Sequence, residues 1–123
     1  MQNGDFKTEF YKRVYAYALK VIRFVEDSSN DSTTRVLSNQ LLRSGTSVTA
    51  NIVEAKSASS RKDYINFYSY SLKSANETKL WIMLIRDSGK SDKAKADSLL
   101  NETKEIANIL GASIITMKGR KKI

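Results

Sequence analysis

No proline occurs anywhere in the chain, so no residue removes a backbone hydrogen-bond donor or kinks a helix from within. Against that unbroken background, apolar residues recur at steps of three and four, the period of a helix with one buried stripe. Over residues 5–27 the stripe is Phe6, Phe10, Val14, Tyr17, Val21 and Phe24. Over 34–57 it is Leu37, Leu41, Val48, Ile52 and Ala55. Over 61–87 it runs through Tyr64, Phe67, Tyr68, Ser71, Ala75, Thr78, Ile82 and Ile85, and over 91–118 through Leu99, Thr103, Ile106, Leu110, Ile114 and Met117.

The joints carry their own signals. Turn formers at Ser28-Ser29-Asn30-Asp31-Ser32 divide the first two segments, and Ser60 with Asp63 has the spacing of a capping box. Gly89 and Gly119 suit the ends of the third and fourth segments. Helices of about 23–28 residues span roughly 35–40 Å each. Four matched helices with short joints predict one all-α domain, an antiparallel up-down-up-down four-helix bundle. A chain of 123 residues buries enough surface to need no staple.

Cysteine and histidine are both absent. That excludes disulfides, thiolate or imidazole metal sites, and any nucleophile activated by histidine. The first residues lack the basic and apolar stretches of a signal peptide, and no run approaches the roughly 20 apolar residues of a membrane span. A cytoplasmic protein with no membrane contact is the expectation.

The second segment is unusual. Between Val36 and Val53 its one charged residue is Arg43, and Leu42, Thr49 and Val53 make a second weakly polar face beside the core stripe. A helix with one side in water normally carries charges there. Self-association through this helix is therefore expected.

Arg43, Ser47, Asn51 and Glu54, spaced by four, four and three, line a narrow polar strip of the same helix, and Glu77 lies on the next one. The strip reads either as a recognition surface or as a network that fixes helix pairing. Glu54 and Glu77 also have the residue type of an acid–base pair. With no histidine to complete a carboxylate metal site, salt bridges are the plainer reading and no enzymatic activity or cofactor is expected.

The formal charge is +8, and Lys118, Arg120, Lys121 and Lys122 form a basic tail over 118–123 suited to phosphate contacts. Trp81 and the tyrosines at 11, 15, 17, 64, 68 and 70 have the chemistry to stack on bases, although aromatics at helical spacing are more often core or interface.

Residues 38–86 contain the run Arg43-x-x-x-Ser47-x-x-x-Asn51-Ile52-x-Glu54-Ala55 and the later acid Glu77. This resembles the four-helix bundle proteins encoded within intervening sequences of bacterial 23S ribosomal RNA genes, the S23 ribosomal protein family. It is also similar to the accessory variability proteins of diversity-generating retroelements. The resemblance in motifs is confined to the second and third helices, and Ala55 stands where the family pattern has glycine. It implies a ring-like homopentamer without known catalytic activity. Members linked to retroelements associate with nucleic acid and a reverse transcriptase. Two readings follow: an oligomer that binds RNA or DNA through a positive surface, or a scaffold that docks another protein.

Overall fold

The computed structural model describes residues 2–121, and the side chains of 5–119. Four helices follow in order: α1 (Gln2–Asp27), α2 (Ser32–Ala55), α3 (Arg61–Asp87) and α4 (Lys93–Lys121). Cross-helix contacts give their directions. Thr49 and Gly45 of α2 meet Val14 and Val21 of α1, Ser71 and Thr78 of α3 meet Val48 and Ser44 of α2, and Arg86 and Arg61 of α3 reach Asp97 and Met117 of α4. Lys20 and Arg13 of α1 meet Ser98 and Glu102 of α4. In each pair one residue number rises as the other falls, so the four helices run antiparallel around one core.

The expected boundaries move by a few residues, for local reasons. Asp31 caps α2, accepting from the Thr34 amide at 3.0 Å and its hydroxyl at 2.9 Å, so the helix begins at Ser32 instead of 34. Those bonds, the amide first, hold the Asp31 carboxyl down to about 2. At the other end α2 stops at Ala55 instead of 57, where Lys56, Ser57 and Ala58 donate to carbonyls three residues back. No left-handed residue is used there, so alanine serves where the related pattern has glycine. Gly89 does take a left-handed φ of 74°, and Lys90 and Gly89 donate to Ile85 and Arg86 in a Schellman end for α3. Gly119 does not end α4. Glycine inside a helix costs only about 1 kcal/mol against alanine, and α4 continues to Lys121. The expected tail is therefore helical backbone through residue 121.

The core contains most of the expected stripes, with corrections. Phe6 is 49% exposed, and Leu37, Tyr64, Phe67 and Met117 are half-buried. Ile65, Ala96, Leu100 and Ala107 are buried without having been placed on a stripe.

The larger correction concerns α2. Thr49, expected to face another subunit, is buried inside the chain, its hydroxyl donating to the Val14 carbonyl at 2.5 Å. Gly45 packs so tightly on α1 that an added Cβ would lie 2.9 Å from Val21 Cγ1. With α3 on its opposite flank, α2 is covered on two sides by its own chain, which accounts for much of its missing charge. Leu42 is half-buried and Val53 is 38% exposed.

Gly45→Ala gains up to about 1 kcal/mol of helix propensity but forces a methyl against a buried, β-branched side chain, where overpacking costs about 1–3 kcal/mol. The expected outcome in urea denaturation is a net loss of stability, with Val21→Ala restoring part of it in the double variant. Equal or higher stability of Gly45→Ala alone would contradict the close α1–α2 approach.

Candidate functional site

The α2–α3 seam is built from small and hydroxyl-bearing residues. Ser71 donates to the Val48 carbonyl at 2.8 Å, the Thr78 and Ser44 hydroxyls lie 2.9 Å apart, and Ser74 donates to Ser47 at 3.1 Å. Short side chains let the two backbones approach, and each buried hydroxyl finds a partner within the seam, as a low-dielectric interior demands. Among the described residues no buried side-chain polar atom lacks one.

Along the outer edge of that seam the structure brings together four of the five expected strip residues. Arg43 pairs with Glu77 and also donates to Gln40 Oε1 at 2.9 Å. The Trp81 indole donates to Glu77 at 2.9 Å. Asn51 donates to the Ser47 carbonyl at 2.9 Å. Glu54 does not join them: it is exposed and shares no hydrogen bond with Glu77 among the described residues. An acid–base pair of Glu54 and Glu77 is not assembled. Gln40, Ser74 and Trp81 complete the strip. Their signal in the sequence was position alone, since all three fall on helix faces that meet across the seam.

The aromatic candidates separate by depth. Tyr17 is buried with its hydroxyl 2.7 Å from Thr103, and burial pushes its ionisation well above the usual phenol range. Tyr68 is buried beside Tyr64, and Tyr11 is half-buried. Tyr15 and Tyr70 are exposed.

A second feature occupies the end of the bundle formed by the start of α1, the end of α2, the start of α3 and the end of α4. There a cleft of about 680 Å³ lies between α1 and α4, with Phe6 and Lys7 on one wall and Ala112, Ser113 and Thr116 on the other. Lys7, Lys56 and Arg61 line it, and no carboxylate does. Lys118 is exposed close by on α4, and the backbone of 120 and 121 belongs to the same helix. The side chains of Arg120 and Lys121, and all of Lys122, lie outside the described residues.

At the far end of the bundle Arg86, Lys90, Lys93 and Lys95 all hold aspartates, while Arg23 and Arg35 pair with no carboxylate among the described residues. At the cleft end Lys7, Lys56, Arg61, Lys62 and Lys118 make no ion pair with a carboxylate among the described residues. Lys7 and Lys56 lie over the rings of Tyr64 and Tyr11, and Arg61 donates to the Met117 carbonyl at 2.9 Å.

The fold and these surfaces define a class: an antiparallel four-helix bundle whose candidate sites lie on its outside and at one end. Residues 7–112 match the family described as 23S rRNA-intervening sequence protein. The chain belongs to that family. It is also similar to a crystal structure of a protein of unknown function from the S23 ribosomal protein family of Bacteroides thetaiotaomicron. That match has 34% identity and a TM-score of 0.79 over 85% of this chain and 97% of the other. No curated protein matches the chain.

Hydrogen bonding first from Trp81, then from Arg43, holds the Glu77 carboxyl below its ordinary range. A depressed folded value means that its stabilisation is complete above the unfolded value of about 4.3 and is lost as pH falls through the folded one. Trp81 is the chain's one tryptophan, so its fluorescence reports on this carboxylate. Wild type is expected to show an acid transition in Trp81 emission, displaced below the ordinary carboxylate range, that Glu77→Gln abolishes. With Glu77 37% exposed, the loss of stability at neutral pH should not exceed about 1 kcal/mol. An identical acid titration of the variant would contradict the Glu77–Trp81 contact.

Proposed function

We propose that the protein is a non-enzymatic homo-oligomer that binds nucleic acid through the positively charged end of its bundle. The observation that carries this reading is the set of five cations there, Lys7, Lys56, Arg61, Lys62 and Lys118, without carboxylate partners among the described residues. Cations held by carboxylates contribute little field, whereas unpaired ones release condensed counterions when they meet phosphate. Membership of a family named for ribosomal RNA genes agrees with that chemistry.

Self-association draws support from apolar side chains that the bundle leaves outside. Tyr15, Leu19 and Ile22 form one exposed stripe of α1, Val53 is exposed on α2, and Leu80 and Leu84 continue the Glu77 stripe on α3. Both groups flank the outer ridge of α2, where Val36 is 63% exposed and Arg43 is the sole charge up to Val53. Exposed apolar strips of this kind mark interaction surfaces. The two strips differ, so copies meeting through them form a heterologous contact of the type that closes into rings. A scaffold that docks another protein is the second reading, favoured by these same strips.

Light scattering on the purified protein at micromolar concentration is expected to give a stable multiple of the monomer mass, which Leu84→Lys or Val53→Lys reduces. A monomeric wild type would count against the oligomer. Fluorescence anisotropy with labelled RNA and DNA is expected to show binding that weakens on the order of 10²–10³-fold between 50 and 200 mM salt, the slope for about five phosphate contacts. Lys62→Glu with Lys118→Glu should weaken it at every salt concentration. Undetectable binding at low salt would remove the nucleic-acid reading and leave the protein scaffold.

A further inference from the structure

Phe6 belongs by spacing to the core stripe of α1, yet half of it faces solvent at the mouth of the cleft. The cause lies opposite. On α4 the cleft is lined by Ile109, Ala112, Ser113, Thr116 and Met117, and the three small residues between the two large ones leave the gap open. One face of the Phe6 ring is stacked on Phe10 at 5.9 Å, so its exposed area is available to something else. Deeper in, Tyr64 stacks on Tyr68 at 5.0 Å and carries Lys7 over its ring at 5.0 Å. Phe6 thus offers the opening one free aromatic face, while Tyr64 is occupied by Tyr68 and Lys7, and the lining holds three cations and no acid.

We propose that this cleft seats one unpaired base of a single-stranded nucleic acid. The base stacks on Phe6 against Ala112, Ser113 and Thr116 of α4, and Lys7, Lys56 and Arg61 meet the phosphates on either side. This proposal rests on the nucleic-acid reading above and narrows it to single strands. The chemistry argues for this occupant in three ways. A volume of about 680 Å³ falls within the range of ligand pockets. Aromatic rings give stacking that accepts any base, and a rim of cations without carboxylates follows a phosphate backbone. A base inside a duplex is already stacked and paired, so it does not enter, and a duplex meets only the outer cations.

The test is fluorescence anisotropy with a labelled 20-nucleotide oligo-uridine and a blunt RNA duplex of about the same length, at equal salt. Stacking of one base is worth on the order of tenfold in affinity. The wild type is expected to prefer the single strand by that factor or more. Phe6→Ala, at a half-exposed position that tolerates truncation, should abolish the preference and leave duplex binding unchanged. Ala112→Trp, which fills the cleft from the other wall, should do the same. Equal affinity of the wild type for both probes, or a preference that survives both substitutions, overturns the cleft while the broader reading stands. Binding of neither probe at low salt overturns both.

Discussion

Everything in this bundle turns on how closely α2 is held between its neighbours. Ser44, Ser47, Ser71, Ser74 and Thr78 let α2 and α3 approach, and Gly45 with Thr49 does the same against α1. Hydroxyls are unusual core material because each costs desolvation unless it is bonded. Here they satisfy one another or a backbone carbonyl across the seam. The middle of α2 carries few charges because its own chain already encloses it on two flanks.

That arrangement has a consequence on the opposite side of the bundle. Outside the core, helices α1 and α4 are bridged by polar contacts, with Arg13 on Glu102 and Glu105, Lys20 on Ser98, and Lys95 on Asp27. Beyond Arg13 toward the start of α1 no such contact is made among the described residues, α4 presents Ala112, Ser113 and Thr116 between Ile109 and Met117, and the cleft opens. The end that opens also carries Lys7, Lys56, Arg61, Lys62 and Lys118, none of them paired with a carboxylate among the described residues.

Four helices, their order and most of the core could be read from periodicity, because a proline-free chain leaves the apolar period uninterrupted. Helix ends were less legible. Asp31 as a cap and Gly119 as an interior residue depend on backbone geometry that residue type does not specify. The strip on α2 was legible as spacing, and Arg43 with Glu77 came together as a pair. Glu54 did not, since the same spacing places it on α2 without supplying a partner. The apolar second face of α2 was visible, but which neighbour covers it was not: Thr49 turned inward to α1 while Val53 stayed exposed. The cleft leaves no local pattern in the sequence, because its residues come from all four helices.

Backbone hydrogen exchange followed by mass spectrometry over a wide dilution range measures the enclosure of α2 directly, since protection tracks the free energy of opening each segment. The centre of α2, residues 41–52, should be among the slowest-exchanging segments, with the start of α1 and the end of α4 much faster. Its protection should not change on dilution, because the cover comes from α1 and α3 of the same chain. Rapid exchange in that segment, or protection that disappears as the protein is diluted, would contradict this arrangement.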